Sequence, residues 1–217
     1  MTKLTLISIE GNIGSGKSTI LRMLKEKHPE WNFVDEPVGA WIALKNQHGE
    51  SLLEIFYKNK ERWSYTFQNV AVLHRFQNLH SALQGLDPNK PNVIVMERSL
   101  LTDKMVFTAM LRKQGCIDDL EMQIYEQWFH HLAHMLPETR AYIYVNTAPN
   151  VCSSRIHKRD RQGEQVIPLD YLEDLHRHHN DWLFNQTNGK PVLTYSNDSE
   201  EINLEPIEMF IEDLSRS

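Results

Sequence analysis

Short apolar segments recur along the chain and alternate with longer segments in which apolar residues are spaced three or four positions apart. The short segments are Leu4–Ile9, Asn32–Asp35, Asn92–Met96, Ala141–Asn146 and Pro191–Tyr195. Short apolar runs of this kind are typical of strands that are buried on both faces. Because helical patterns separate them, right-handed crossovers are favoured, and the pattern predicts an α/β fold with a five-stranded parallel sheet flanked by helices.

Two of the helical patterns make specific predictions. The segment Gly49–Gly85 contains two helices and no strand, and one stripe of the second helix is placed to line a cleft. The residues of that stripe are Phe67, Val70, Ala71, His74 and Asn78. The C-terminal pattern predicts a helix whose acidic residues lie in solvent, namely Glu205, Glu208 and Glu212.

Composition and charge narrow the class of protein. The chain has 217 residues, and we expect one domain over residues 1–217. Lys and Arg number 23 against 29 Asp and Glu, and the net charge of −6 argues against a nucleic-acid partner. Two cysteines are too few for a disulfide framework, and no apolar run approaches the roughly 20 residues of a membrane span. Residues 1–3 lead straight into the first strand, so we expect a cytoplasmic protein without a targeting segment.

A glycine-rich segment follows the first strand and precedes a helical pattern. It has the spacing Gly, four residues, Gly-Lys-Ser of a phosphate-binding loop (P-loop) over residues 11–18. Its curled backbone points N–H groups at phosphate oxygens, and the next helix adds positive potential. We predict that Lys17 contacts the β- and γ-phosphates of ATP and that Ser18 is a Mg²⁺ ligand. The predicted ATP-binding residues are Gly11, Asn12, Ile13, Gly14, Ser15, Gly16, Lys17, Ser18 and Thr19.

Charged residues end the second and third strands, where ligands bind in parallel sheets. Glu36 lies between Asp35 and Pro37, and Glu97 is followed by Arg98. Glu36 is a candidate to orient a substrate hydroxyl and accept its proton. Glu97 is a candidate to hold the metal ion or its waters, and Arg98 is a candidate to neutralise the charge on the transferred phosphoryl group. The alternatives are a structural pairing of Glu36 with an arginine and a simple Glu97–Arg98 pair.

Basic residues end the helical pattern after the fourth strand. They are Arg155, Lys158, Arg159 and Arg161. Such a segment can fold over ATP, stabilise charge in the transition state and exclude water. We expect a lid at about residues 155–166 in which Arg155, Arg159 and Arg161 contact ATP. A solvated charged surface is the alternative.

Histidines occur in two groups whose spacing does not indicate a metal site. A zinc protease carries a glutamate between histidines four positions apart, and the group around His130 lacks it. We expect these side chains on helix surfaces or in an interface. They are His130, His131, His134, His176, His178 and His179.

Together these segments resemble the deoxyribonucleoside kinase family, most closely its deoxycytidine kinase-like and deoxyguanosine kinase-like members. The similarity runs from about residue 6 to residue 193. Its motifs are Glu10-Gly11-Asn12-Ile13, Glu36-Pro37-Val38, Glu61-Arg62-Trp63-Ser64, Phe67-Gln68, Glu97-Arg98-Ser99, Asp103 and Ile167-Pro168-Leu169. The resemblance implies a P-loop kinase fold. It also implies ATP- and Mg²⁺-dependent phosphorylation of the 5′-hydroxyl of a deoxynucleoside, a reaction of nucleotide salvage.

The resemblance implies roles at the matching positions. Lys17, Glu36 and Arg98 are the implied catalytic residues, with Glu36 as the base for the 5′-hydroxyl. Tyr57 and Glu164 match residues that hold the 3′-hydroxyl of the sugar. The implied metal-binding residues are Ser18 and Glu97. The implied substrate-binding residues are Glu36, Trp41, Tyr57, Phe67, Gln68, Ala71, Arg75, Arg98, Asp103, Phe107 and Glu164.

Recognition of the base is implied at several of these positions. Gln68 matches the amide that reads the base edge, and Phe67 and Phe107 match rings that sandwich the base. An amide has a donor and an acceptor, which suits the N3 and amino edge of cytosine. Ala71, Arg75 and Asp103 resemble the small residue, arginine and aspartate of members that prefer deoxycytidine or purine deoxynucleosides. Alternatively, Arg75 and Asp103 form a plain ion pair.

Two other functions fit parts of the sequence. A thymidylate-kinase-like enzyme shares the P-loop and the Glu-Pro after the second strand, but it needs extra cations around the phosphate of its substrate. A kinase-shaped subunit that binds without catalysing would be indicated by loss of Lys17, Glu36 or Arg98, and all three are present. The family resemblance also implies a homodimer formed through the helices at Phe67–Leu83 and Asp118–Leu136.

Overall fold

Five parallel strands form one sheet in the computed structural model, which describes residues 4–161, 163–199 and 201–216. They are β1 (Leu4–Glu10), β2 (Asn32–Val34), β3 (Asn92–Glu97), β4 (Ala141–Asn146) and β5 (Val192–Ser196). The spatial order is β2-β3-β1-β4-β5 and every neighbouring pair is parallel, so the predicted α/β fold is confirmed. Residues 1–3, on which the expectation about a targeting segment depends, lie outside the described residues.

Helices connect the strands. They are α1 (Lys17–Lys27), α2 (Val38–Ala43), α3 (Leu52–Lys58), α4 (Lys60–Gln84), α5 (Leu100–Thr102), α6 (Ala109–Lys113), α7 (Asp119–His134), α8 (Pro149–Arg159), α9 (Leu169–Asn185) and α10 (Glu205–Arg216). A π-helical segment, Asp103–Thr108, joins α5 to α6. In the described part of the chain, no helix is both long and apolar enough to span a bilayer.

The two helices predicted within Gly49–Gly85 are α3 and α4, and local hydrogen bonds explain why there are two. Ser51 and Glu54 cap each other's backbone N–H at the start of α3. Asn59 ends α3 and also begins α4, where its side chain accepts the backbone N–H of Arg62. The stripe of α4 that carries Phe67 therefore starts from a fixed junction with α3.

Apolar side chains cover both faces of the sheet, and β1 and β3 run through its middle. The register aligns their ends, because Ile9 lies opposite Glu97 and Val34 of β2 lies opposite Met96. The segments that leave β1, β2 and β3 consequently emerge side by side at one edge. This edge brings the P-loop, Glu36 and Arg98 together, although they are far apart in sequence.

One prediction for the C-terminal helix is wrong. Glu208 does not lie in solvent: its carboxylate accepts hydrogen bonds from Lys27 Nζ at 2.7 Å and contacts His28 Nε2 at 2.9 Å. These two residues end α1, and the contacts hold α10 against it. The helix itself is confirmed, but a periodic pattern within one helix does not report a basic helix end that packs against its acidic face.

The expectation for the second histidine group is wrong at His179. This side chain is fully buried in α9, its ring stacks on Tyr144 with 6.1 Å between centroids, and its Nδ1 contacts the Leu175 carbonyl at 2.7 Å. A signal for this was available, since His179 continues the apolar stripe of Leu175 and Trp182 at helical spacing. His176 and His178 are only partly buried.

Candidate active site

The P-loop follows β1, and its conformation requires glycine at two positions where its backbone lies close to that of neighbouring elements. Gly11 and Gly14 have φ of 144° and 78°, a region that side chains rarely adopt. A Cβ at Gly11 would lie 2.5 Å from the Val145 carbonyl oxygen, and one at Gly14 would lie 2.6 Å from that of Cys152. The loop is therefore packed directly against β4 and α8. Gly11, Asn12 and Ser15 are buried, whereas Ser18 and Thr19 are exposed.

The side chain of Asn12 faces the protein. Its Nδ2 donates to the Leu172 carbonyl at 2.8 Å, and its Oδ1 accepts the N–H of Ile13 at 2.8 Å. Asn12 thus attaches the loop to α9. Any contact of Asn12 with a nucleotide involves the backbone, which refines the prediction made from the glycine-rich spacing.

Lys17, the first residue of α1, is buried inside the loop. Its Nζ donates to the Asn12 carbonyl at 2.6 Å. Burial, together with the nearby positive charge of Arg98, lowers the pKa of Lys17 to about 8. A bound anion would therefore stabilise the charged form of Lys17 inside the loop.

We expect ATP binding to be accompanied by proton uptake above pH 8. At pH 8.5 most of the Lys17 side chains are neutral in the free protein, and bound phosphates raise the pKa again, so roughly 0.5–0.8 proton enters per ATP. Calorimetry in two buffers with different ionisation enthalpies measures this number. Lys17→Arg, which stays charged, is expected to bind without uptake. Equal uptake in this variant would assign the proton to another group.

Glu36 receives two guanidinium groups on one oxygen. Arg98 Nη1 and Arg75 Nη2 donate to its Oε1 at 2.5 and 2.6 Å. Burial alone would raise the pKa of Glu36, but these two charges outweigh it and hold the pKa well below its usual value. Glu36 does therefore pair with arginines, as the structural alternative predicted. It leaves Oε2 of an ionised carboxylate to meet a ligand.

Arg98 adopts a backbone conformation with φ of 63° that few non-glycine residues share. Its N–H donates to the Ile9 carbonyl at 3.0 Å, and its Nη2 donates to the Gly11 carbonyl at 3.0 Å. The next residues are held by Glu10, a fully buried carboxylate that accepts the Ser99 N–H at 3.1 Å and the Thr102 hydroxyl at 2.6 Å. In the sequence, Glu10 stands out only as part of the Glu10-Gly11-Asn12-Ile13 motif. Its place just before the P-loop was the one signal of this role.

Glu97 and Ser18 lie together beside the loop, with the Ser18 hydroxyl donating to Glu97 Oε1 at 2.8 Å. Burial, and then the negative charge of Glu36, raise the pKa of Glu97. A hydroxyl and a carboxylate are hard oxygen donors of the kind that Mg²⁺ prefers. A divalent cation would also offset the repulsion between the two carboxylates, so these residues fit Mg²⁺.

A cavity of about 400 Å³ opens from the P-loop between α3, α4 and the π-helical segment. Every residue predicted to bind the substrate lines it: Glu36, Trp41, Tyr57, Phe67, Gln68, Ala71, Arg75, Arg98, Asp103, Phe107 and Glu164. Of the α4 stripe, Phe67 and Ala71 line this cavity, whereas Val70, His74 and Asn78 do not. Asn78 instead donates to the Asp35 carbonyl at 3.4 Å. The lining also includes Val38, Leu53 and Phe56, which sequence analysis missed.

Aromatic rings shape this cavity. Phe67 stacks on Phe56 with 4.4 Å between ring centroids and 9° between planes, and it meets Trp41 edge to face. Phe107 lies under the Arg98 guanidinium at 5.1 Å. Phe56 belongs to an ordinary amphipathic pattern, so its sequence signal matched that of a core residue. Only the position of α3 over the cavity distinguishes it.

Arg75 and Asp103 form a buried ion pair, with Arg75 Nε donating to Asp103 Oδ2 at 2.9 Å. The plain ion pair considered above is therefore real, and both residues also line the cavity. Burial raises the pKa of Asp103 to about 6, against the opposing charge of Arg75. This carboxyl group changes its charge near neutral pH.

The basic residues at the end of α8 face the cavity. Arg155, Lys158, Arg159 and Arg161 all line it. The Glu164 carboxylate forms salt bridges with Arg159 Nη2 and with Arg161 Nη1, the latter at 3.0 Å. Glu164 therefore connects the basic segment to the rest of the cavity lining, which includes Tyr57. The predicted lid includes Gln162, which lies outside the described residues.

The parallel sheet, the P-loop and the basic segment over one cavity define a P-loop kinase. A family model described as "Deoxynucleoside kinase" matches residues 7–216. Deoxycytidine kinase of Homo sapiens is 36% identical over 203 residues, which cover 86% of this chain and 78% of the relative. Deoxycytidine kinase of Rattus norvegicus is 33% identical over 240 residues, with 97% and 92% covered. Mitochondrial deoxyguanosine kinase of Xenopus laevis is 31% identical over 195 residues, with 83% and 74% covered.

The chain belongs to the deoxynucleoside kinase family, as the match over almost its whole length shows. It is an ATP-dependent deoxynucleoside kinase. The predicted family and enzyme class are confirmed, and the non-catalytic alternative is set aside.

Proposed function

We propose that this kinase transfers the γ-phosphate of ATP to the 5′-hydroxyl of deoxycytidine, with deoxyadenosine and deoxyguanosine as further substrates. The observation that carries the proposal is the position of Glu36. Its carboxylate lies where the P-loop meets a cavity that presents an amide, Gln68, and the Arg75–Asp103 pair. An uncharged sugar alcohol fits beside that carboxylate, whereas a monophosphate would bring a second anion toward it.

In this proposal Glu36 orients the hydroxyl. A carboxylate with a depressed pKa is a weak base, so its main contribution is alignment of the attacking oxygen. The bond from the 5′-oxygen to phosphorus forms as the bond to the β–γ bridging oxygen breaks. ADP leaves with the electron pair, and the hydroxyl proton passes to Glu36 as the transfer proceeds.

Cations of this chain stabilise the charge on the transferred group. Lys17 and Arg98 contact the phosphates from the loop side, and the buried Nε of Arg98 has no hydrogen-bond partner among the described residues. From the other side we assign Arg155, Arg159 and Arg161, which line the cavity at the end of α8. Mg²⁺ bound by Ser18 and Glu97 would neutralise phosphate charge.

Base recognition is assigned to the far end of the cavity. Gln68 is buried and close to Thr108, whose hydroxyl donates to Gln68 Oε1 at 3.5 Å. The amide group can therefore keep one orientation toward cytosine. Stacking on aromatic faces supplies about 1–3 kcal/mol per base. Phe56 packs on Phe67 and also lines the cavity, so it supports the ring assigned to stacking on the base.

A panel of acceptors tests this proposal. With ATP and Mg²⁺, the four deoxynucleosides and thymidine monophosphate are compared by kcat/KM, with products separated by chromatography. We expect deoxycytidine to rank first, the purine deoxynucleosides to follow and thymidine monophosphate to be inert. Phosphorylation of thymidine monophosphate, or a preference for thymidine, would contradict the assignment.

The pH profile should depend on Asp103. Because the pKa of Asp103 is raised to about 6, this group loses its charge below that pH and weakens its pairing with Arg75. We expect kcat/KM for deoxycytidine to fall below pH 6, whereas Glu36, with its depressed pKa, contributes no such fall. Asp103→Asn is neutral at every pH and should show low but flat kcat/KM in this range. A fall near pH 6 that persists in Asp103→Asn would refute this origin.

We further propose a homodimer formed through α4 and α7. Large apolar side chains on these helices are exposed, including Leu73 at 41%, Leu120 at 65% and Trp128 at 57%. Light scattering after size exclusion is expected to give twice the mass of the chain, and Trp128→Glu should give the single mass. Phe184→Glu, an exposed aromatic on α9, is the control and should remain dimeric.

The remaining proposals concern organisation and compartment. We propose one kinase domain over residues 1–217, because both halves of the chain supply strands to one sheet. We propose a cytoplasmic location, since Cys116 and Cys152 are free thiols. Limited proteolysis that released two stable fragments would argue against one domain, and fractionation of the source cell tests the location.

A further inference from the structure

Side-chain donors from separate elements converge on one main-chain oxygen of the P-loop, the carbonyl of Ser15. Asn197 Nδ2 donates to it at 2.7 Å, Thr147 Oγ1 at 3.1 Å and Arg155 Nη1 at 3.4 Å. The contact from Asn197 is the shortest, and it joins the end of β5 to the loop. A carbonyl oxygen has two lone pairs, so this set of donors fixes the direction of the Ser15–Gly16 peptide.

That direction determines where the next N–H group points. A trans peptide is planar, and its C=O and N–H point to opposite sides. Gly16 lies between the main cavity and a second cavity lined by Thr19, Asn197 and Asp198. Since the Ser15 carbonyl faces Asn197, the Gly16 N–H faces the main cavity. This is the side on which a phosphate would meet it.

Asn197 is itself held rigidly. Only 1% of the residue is exposed, and its backbone N–H donates to the Asn146 carbonyl at 3.1 Å. Its amide fills the space next to Gly16, where a Cβ would lie 2.4 Å from Nδ2. An asparagine here therefore packs directly on the Cα of the loop.

The orientation of the amide is dictated by the carbonyl. Turning it over would place Oδ1 against the Ser15 oxygen, and two acceptors at that distance repel. In the orientation observed, Oδ1 is buried without a hydrogen-bond partner among the described residues. A buried acceptor without a hydrogen bond is costly, so the contact of Nδ2 with the Ser15 carbonyl outweighs the cost of the unsatisfied Oδ1.

We propose that Asn197 is a positioning residue for phosphate binding. It holds the Ser15–Gly16 peptide so that the Gly16 N–H meets an oxygen of the ATP phosphate chain. The inference rests on the proposed function only in taking the P-loop as the ATP site. It assigns to Asn197 no contact with the base of either substrate.

The test variant is Asn197→Leu, because leucine has a similar size but no charge and no hydrogen-bond donor. Its binding of three ligands distinguishes a positioning role from other roles. They are tripolyphosphate, a non-hydrolysable ATP analogue and deoxycytidine, each measured by its Kd with Mg²⁺ present. We expect the first two to bind about tenfold more weakly by the same factor, and deoxycytidine to stay within twofold. Asn180→Leu removes another asparagine contact, the partly buried one that accepts the Tyr144 hydroxyl, and should leave the Kd for tripolyphosphate unchanged.

The other outcomes overturn the proposal. Weaker binding of the ATP analogue alone would mean that Asn197 contacts the donor base. A parallel loss for deoxycytidine, together with a lower Tm, would mean a purely structural role. Because tripolyphosphate binding is measured without turnover, the result stands even if deoxycytidine proves a poor acceptor in the panel above.

Discussion

Replacing Glu36 by glutamine is expected to lower kcat roughly a thousandfold, while the Kd for deoxycytidine changes by less than about tenfold. Glutamine keeps the shape of the side chain but can neither take the proton of the hydroxyl nor present the charge that aligns it. It also leaves the Arg98 and Arg75 guanidinium groups without the negative charge that they share. Stopped assays for kcat and calorimetry for Kd measure the two quantities.

Two controls accompany this variant. Glu36→Asp keeps the charge but retracts the carboxylate, so it should recover part of the activity. Asp35→Asn changes the neighbouring carboxylate, which is exposed, and should leave kcat unaltered. If Glu36→Gln retained more than a tenth of the wild-type kcat, Glu36 would not be the group that orients the hydroxyl.

Lys17→Met should have the second largest effect, a fall of roughly a thousandfold in kcat/KM for ATP. Methionine fills similar space but supplies no charge to the β- and γ-phosphates. The Kd for deoxycytidine should hardly change, because that substrate does not reach the loop interior. Kinetics at varied ATP and fixed deoxycytidine give the first value.

The same variant should also melt at a higher temperature. Burial lowers the pKa of Lys17 to about 8, so the amine is still mostly charged at pH 7 and that buried charge destabilises the fold. Removing the amine relieves that cost. A lower Tm together with lost activity would show that Lys17 supports the structure and would remove this explanation of its role.

Much of the fold could be predicted because its signals are local. Each strand is a short apolar run, and the structure moves the predicted ends by at most one residue. The P-loop is recognised from contiguous residues and from its place between strand and helix. Capping residues such as Ser51 and Asn59 also act within one turn.

The parts that could not be predicted depend on packing between distant segments. Glu208 is buried because the end of α1 lies against α10, and no spacing within either helix reports that contact. Phe56 lines the cavity beside the P-loop only because α3 forms part of its wall. Asn197 reaches the loop from 182 positions away.

The candidate site falls between these cases. Glu36 and Arg98 could be assigned to one edge of the sheet, because strand ends of a parallel sheet meet there. Their direct contact at 2.5 Å, and the sharing of Glu36 with Arg75, required the structure. The family resemblance supplied further positions, all of which line the cavity, whereas Val38, Leu53 and Phe56 were missed.

A crystal structure with deoxycytidine and ADP–Mg²⁺ tests the central claim most directly. We expect the 5′-oxygen within about 2.6–3.2 Å of a Glu36 carboxylate oxygen, the base edge on Gln68 and the ADP phosphates along the P-loop backbone. A deoxycytidine whose 5′-oxygen pointed away from Glu36, or phosphates bound outside the loop, would contradict the account.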